Sequence, residues 1–404
     1  MALSLFNKQN QNKKNILLID VGSSSVGVAL AIIENGHAPN IALSVREDIV
    51  FQEVLSSQRF AGAMNHALDK VLVRLQAEMK ILVEAQGSKI VISDVFCTMS
   101  SPWFILKNRN LLISRQGEFE VTERTLEEFV NGDIELLKTE LKEVLPHQDI
   151  KIIEKKIIHI KLNGYEIKNP YKQKTSRMEL SVTVGVSSEK VVHSIESKIK
   201  GLFHTSHVHF GAFPVAAFSV IRDMFPTEKN FLFLDITGEA TDVSRIDNDV
   251  LVKTASFPIG KNFFIREIST GLRTVHQEAS SLFSMFLRDE LDIASRMNIA
   301  RFVEHAEEKW HTRFEKIISN LAEKGALPRK KFFTIDAEFA PFFSSSILKI
   351  KSKLLMGGSF EVQYLDQLIV SKFVSFDPEI SRDPYLVVEA LFAEKILAHH
   401  DQNE

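Results

Sequence analysis

The sequence predicts a mixed α/β protein in which one strand-turn-strand unit occurs twice and a small α+β unit is inserted inside the first half. Three observations carry that prediction. The 404 residues suit two to four packed units at roughly 100 to 200 residues each. Hydrophobic residues make up 45% and charged residues 25%, the balance of a globular chain, so whole-chain disorder is excluded. Finally, ILLID-VGSSS-VGVAL around Asp20 lies over FLFLD-ITGEA-TDVSR around Asp235. Each copy has four apolar residues, an aspartate, a short turn of small residues and a second strand, and the repetition is a stronger signal than either copy alone.

The elements follow in order. Residues 15–34 are two apolar, partly β-branched runs around a Gly/Ser cluster, a hairpin whose turn centres on Gly22 to Ser25. From Phe60 to Glu84 apolar residues recur at three and four (Met64, Ala67, Leu68, Val71, Leu72, Leu75), which predicts a long amphipathic helix. Residues 89–121 return to strand-like runs. Thr125 with Glu128 then reads as a capping box opening the helix TLEEFVNGDIELLKTEL. The strands KIIEKKIIHIKL and MELSVTVGV come next, parted by a polar turn segment, so residues 90–187 form the inserted α+β unit. Residues 188–202 are helical by pattern, 208–210 extended, and Pro214 to Met224 helical with proline in the first turn. Residues 231–260 form the second hairpin unit and 263–324 are mostly helical. KKFFTIDAEF and FEVQYLDQLIV are late strands, and Pro384 opens a terminal helix. The resulting division is a leader at 1–14, a first lobe at 15–89 and 188–230, the insert at 90–187, a second lobe at 231–382, and a closing helix and tail at 383–404.

A net charge of -3, from 49 basic and 52 acidic residues, leaves no global field for nucleic acid, so no nucleic-acid partner is expected. The single cysteine, Cys97, forms no internal disulfide and suits a reducing compartment; it also excludes zinc-type thiolate sets. The first fifteen residues hold only a four-residue apolar run, and no window of about 18 apolar residues occurs elsewhere. The expectation is a cytoplasmic protein with no transmembrane segment and at most peripheral contact with the inner membrane face.

The repeated turns suggest a chemistry. Small residues between two strands let backbone N–H groups and hydroxyls converge on phosphate oxygens, because no bulky side chain blocks the approach. Two such turns facing each other would clasp a polyphosphate. Asp20 and Asp235, each ending a first strand, would then need an intervening cation, Mg2+ held through water. The alternative is that each aspartate simply caps its own turn.

On these residues the chain resembles the actin-like ATPase superfamily, of ribonuclease H-like fold, and within it the FtsA-type division proteins and the PilM-type pilus assembly proteins. DVGSSSVGVAL is similar to the first phosphate motif and DITGEATDVSRIDNDVLVKTASFPIGKNFF to the second. VTERTLEEFV and NGYEIKNPYKQKTSRMELSVTVGV resemble the small inserted domain of FtsA-type proteins, with Asn169-Pro170 its most FtsA-like feature. The resemblance spans about residues 15–270. It implies ATP with Mg2+ in a cleft between two lobes, with Gly22, Ser23, Ser24 and Ser25 on the β- and γ-phosphates from one side and Thr237, Gly238, Glu239 and Thr241 from the other. It also implies an adaptor, at most a slow ATPase, linking a division filament to the inner membrane face and self-associating. The alternatives are a PilM-like adaptor of a pilus inner-membrane complex, or an actin-fold small-molecule kinase, for which no distinct catalytic aspartate stands outside the phosphate motifs.

There are departures. The family has glycine where this chain has Thr237, and a small residue where it has Glu239. A carboxylate aimed at a phosphate repels it, so Glu239 must point away, bind the metal or position water. The adenine-side motif, a strand followed by two glycines, has no clean match: FFTID runs into Asp336-Ala337-Glu338, and Gly357-Gly358 comes later. His204, His207 and His209 crowd one stretch without a completing ligand and read as structural. Lys168, Lys172, Lys174 and Arg177 around Tyr171 make a basic loop that reads mainly as solvated. The terminal helix, apolar at Leu386, Val387, Ala390, Leu391, Ala393, Leu397 and Ala398, reads as a closing helix on the first lobe rather than as a membrane helix. Leu3 to Phe6 with Lys8, Lys13 and Lys14 is a weaker candidate anchor. No Ser-His-Asp, HExxH or Walker-type spacing is present.

Overall fold

Ile16 to Val21 are buried without a break, the pattern of a strand covered on both faces. A computed structural model of the chain describes residues 13–401 apart from 54–55, 88, 146–147, 168, 206, 323–325, 351–359 and 378–379. In it, strand β1 (Lys13–Val21) pairs antiparallel with β2 (Ser25–Glu34), which pairs antiparallel with β3 (Asn40–Asp48). Helix α1 (Ser57–Gln86) then crosses to β4 (Ile92–Met99), parallel to β1. Beyond it come β5 (Phe104–Glu120), α2 (Glu123–Val144), β6 (Ile150–Leu162), β7 (Tyr165–Glu166), β8 (Lys174–Ser188) and α3 (Glu189–Phe203). The chain returns through β9 (Val208–Ala212), parallel to β4, and α4 (Phe213–Met224).

The second half repeats the design. Strands β10 (Phe231–Ile236), β11 (Thr241–Asp247) and β12 (Val250–Phe257) form an antiparallel run. Helices α5 (Lys261–Leu272), α6 (His276–Leu287) and α7 (Ile293–Leu321) lead to β13 (Lys330–Thr334), parallel to β10, then α8 (Ala340–Lys349) and β14 (Glu361–Tyr364). The chain closes with α9 (Gln367–Val370), β15 (Ser375–Phe376) and α10 (Pro384–Asp401). The order β3-β2-β1-β4-β9 in one sheet and β12-β11-β10-β13-β14 in the other is the same topology twice, three antiparallel strands followed by two parallel ones. The duplication seen around Asp20 and Asp235 therefore extends to whole sheets.

The insert is a four-stranded sheet, β5-β8-β6-β7, with α2 packed on it through Leu126, Val130, Ile134, Leu137 and Leu141 and a small apolar core of its own. Four boundaries differ from the sequence reading. Residues 92–99, expected in the insert, are β4 of the first sheet, so the insert starts near Phe104. An apolar run announces a strand but not the sheet it joins. Residues 365–376, expected in the second lobe, return to the first: β15 pairs with β3, and Leu365, Val370 and Val374 lie in that core. FEVQYLDQLIV is a strand only over Glu361–Tyr364, because Asp366 caps a short helix by accepting from the Ile369 N–H. Helix α2 likewise opens one turn before the Thr125 box, with the Thr122 hydroxyl accepting from the Thr125 N–H at 3.1 Å. Helix α10 buries Leu386, Val387, Ala390, Ala393 and Leu397 against the first sheet.

Candidate functional site

The two turns face one another, and they touch. The Ser23 hydroxyl donates to Thr237 Oγ1 at 2.7 Å and accepts from the Glu239 N–H at 2.8 Å, across 214 and 216 residues of sequence. A Cβ built on Gly238 would stand 2.8 Å from Ser24 Cβ and 3.0 Å from the Ser23 carbonyl carbon, so this glycine is what allows the turns to meet. The seam continues at the end of β4. Ser100 donates to Asp235 Oδ2 at 2.7 Å, and Ser101 donates to Asp242 Oδ1 at 2.6 Å.

Several groups that would greet an anion are already bonded. Gly22 N donates to Ser25 O and Thr237 N to Ala240 O, closing each turn on itself. The first amides of α5, Lys261 N and Asn262 N, donate to Thr237 O and Gly238 O at 3.0 and 2.8 Å. Those amides would otherwise give a helix N-terminus its affinity for phosphate. Thr241, expected on the phosphates, is fully buried: its hydroxyl donates to Ile259 O and accepts from the Trp310 indole.

One oxygen of Asp20 is also taken by a cation. Arg46 on β3 stands opposite Gly27 and reaches Asp20 Oδ2 through Nη2 at 2.8 Å, Ser25 Oγ through Nη1 at 2.9 Å and Asp383 Oδ2 through Nε at 2.6 Å. Burial is the main influence that lifts Asp20 to about 6, with Arg46 working against it and Asp383 adding to the rise. Asp235 accepts from Ser100 and Thr334, and burial, followed by the nearby Asp242, pushes it to about 8. Glu239 has a cation of its own: Arg266 grips both its oxygens at 2.7 Å, and Asn262 Nδ2 donates to Oε1 at 2.7 Å. Asp336, at the adenine-side strand, is paired with Lys261. Gly357-Gly358, Leu3 to Phe6, Lys8 and Lys168 lie outside the described residues. His209 Nε2 lies 3.2 Å from Asp94 Oδ1, and no cluster able to hold a metal ion occurs among the described residues.

The cavity left between Asp20, Gly22, Ser24, Arg46, Thr237 and Asp336 measures about 10 Å3. That is the threshold for a single water, against roughly 300–1,000 Å3 for cofactor sites. In this arrangement the turns clasp each other and leave no room for the expected ATP and Mg2+, while a guanidinium holds Oδ2 of the aspartate a hydrated cation would need and its Oδ1 is buried without a partner. Sequence reasoning placed Asp20, Gly22 to Ser25, Asp235 and Thr237 to Glu239 at one seam, and the structure brings them together there. It missed Arg46 and Arg266, which look like ordinary surface charges on an amphipathic strand and helix. The only sequence signal for Arg46 is Gly27, whose Cβ would lie 2.5 Å from Arg46 Nη2.

A second concavity, of about 670 Å3, lies between the insert and the first lobe. Phe60 and Trp103 stack in its wall at 4.8 Å, Ile105 and Val191 add apolar surface, and Gln58, Asp149 and Lys190 stand at its rim. Trp103 links groove to cleft, because its indole N–H donates to Gly22 O at 2.7 Å.

With this geometry in place, comparison with solved structures decides the architecture. A PilM-PilN type IV pilus biogenesis complex superimposes with a TM-score of 0.59 at 11% identity, covering 95% of this chain and 98% of that one. The fold is that of the actin-like ATPases. Lower similarity extends to the ethanolamine utilization protein EutJ from Carboxydothermus hydrogenoformans (TM-score 0.42, 15% identity, covering 95% of this chain and 89% of that one). It also extends to a Bacteroides thetaiotaomicron protein with an actin-like ATPase fold and unknown function (TM-score 0.38, 8% identity, covering 95% and 97%). No protein-family model and no curated protein matches the chain. No helix among the described residues is long and apolar enough to cross a membrane.

Proposed function

We propose that this actin-like chain is a PilM-like adaptor on the cytoplasmic side of a type IV pilus-type inner-membrane complex. Its insert groove holds a short, mostly apolar segment of a membrane partner, and its nucleotide cleft is structural. The observation that carries the reading is the pairing of a closed cleft with an open groove: about 10 Å3 where the superfamily's ligand would lie, and about 670 Å3 beside the insert. The groove has the size of a ligand site; the buried stack of Phe60 and Trp103 gives it a rigid wall, and the exposed Ile105 offers apolar surface to a partner. The end-to-end likeness to a protein solved as a PilM-PilN complex supports the same role. A kinase reading gains nothing from a cleft of this size, and nucleotide has no step in the proposed function.

The fold alone does not separate a pilus role from an FtsA-like division role; a binding experiment does. The full chain is titrated with the cytoplasmic segment of a pilus-type inner-membrane protein and, separately, with a tubulin-like division protein. Saturable binding of the segment, lost in Ile105→Asp, is the expected result. Binding of the division protein alone replaces this reading with the FtsA-like one.

A further inference from the structure

We infer that this chain has replaced the ligand of its cleft with its own side chains: the Arg266–Glu239 pair, tied across to Phe51 and Gln52, forms a built-in latch that holds the lobes closed without nucleotide, and Arg46 takes the cation's place at Asp20 within the first lobe. In a cleft of this fold a bound polyphosphate brings negative charge between the turns, and its cation brings positive charge to the aspartates. Here the negative charge at the second turn is the Glu239 carboxylate, and the positive charge at Asp20 is the Arg46 guanidinium.

Both are built in. Arg46 lies against Gly27, where any side chain would collide with its guanidinium, and its three nitrogens reach three separate acceptors. Arg266 does more than hold Glu239. Its Nη2 and Nε also donate to Gln52 O at 3.1 and 3.2 Å, and its guanidinium carbon stands 4.6 Å over the Phe51 ring. Phe51 and Gln52 follow β3 of the first lobe, whereas Glu239 belongs to the second turn, so one side chain spans the cleft. Phe51 adds a second tie by stacking on His276 of α6 at 3.3 Å between centroids. Admitting a triphosphate would part Ser23 from Thr237 and from the Glu239 N–H, and would leave Asp20 and Glu239 facing an anion. A planar arginine fork suits this task better than lysine, because it bonds several acceptors at once and stacks on a ring.

Two measurements on the full chain test the latch. Calorimetric titration with Mg-ATP and with Mg-ADP is expected to show no saturable binding up to about 1 mM. One-to-one binding with a micromolar Kd overturns the inference. Hydrogen exchange is then followed at the Glu239 amide in Arg266→Met and in Arg266→Lys, which keeps the charge but loses the fork. Exchange is expected to rise by about tenfold or more in both, while the α2 amides of the insert keep their rates. Wild-type exchange at Glu239 in these variants overturns the inference; if Arg266→Met fails to fold, Arg266→Lys decides.

Discussion

Removing the Arg46 guanidinium should expose how the first lobe is held at the cleft. In Arg46→Met the stem is kept and the charge is lost, leaving Asp20 and Asp383, whose side chains are 3% and 12% exposed, without their counter-charge. Breaking a buried pair by deleting one partner costs roughly 3–5 kcal/mol. Arg46 itself is 26% exposed, so solvent screening argues for the lower end, about 3 kcal/mol near pH 7.5. The cost should also depend on pH. Asp20 titrates near 6 in the folded protein, above its unfolded value of about 3.9, so the folded state takes up the proton first as pH falls. At pH 5 the carboxyl is mostly neutral, no orphaned charge remains on it, and the penalty should shrink. The assay is urea unfolding at pH 5 and pH 7.5, with Arg46→Met combined with Asp20→Asn as the rescue that removes the orphaned charge. Recovery of about 1–2 kcal/mol is expected in the double variant at pH 7.5. A loss below about 1 kcal/mol for Arg46→Met, or strictly additive losses in the double variant, would refute the reasoning.

Further outcomes follow from the same seam. Asp235 has a folded pKa of about 8, so its contribution to stability falls as pH rises from about 4 through 8; Asp235→Asn should flatten that part of the stability profile measured by thermal unfolding. Gly238→Ala drives a methyl against Ser24 and the Ser23 backbone and should cost about 1–3 kcal/mol. The same change at Gly62 of α1, which has nothing within 4 Å, should stabilise by about 0.5–1 kcal/mol in the same denaturation assay. Glu154 of β6 accepts from the Ala212 N–H where the insert meets the first lobe, and burial lifts it to about 7. Glu154→Gln should therefore gain stability relative to wild type as pH rises from 5 to 8, read by exchange at Ala212.

The parts of the fold legible in the sequence were those with local causes. Four apolar residues, an aspartate and a small-residue turn mark β1 and β10 because such strands are buried on both faces and such turns need little side-chain volume. The sheet that an apolar run joins is a long-range property, which is why β4 and β15 were placed in the wrong unit. The site divided the same way. Repetition brought Ser23 and Thr237 to one seam, but the room between the turns depends on Arg46, which is 26 residues from Asp20, and on Arg266, 27 from Glu239. A charge in the middle of SVRED or on the amphipathic α5 gives no local sign that it turns inward. Glu239 was the legible warning, since a carboxylate in a phosphate turn needs a cation of its own.

The most direct measurement is hydrogen exchange across residues 231–241 of the full chain, without nucleotide and with saturating Mg-ATP. A turn already bonded to Ser23 and Arg266 should show a slow Glu239 amide in both conditions, with no change on addition of nucleotide. Rapid exchange in the nucleotide-free protein that slows when Mg-ATP is added would contradict a cleft closed by its own side chains.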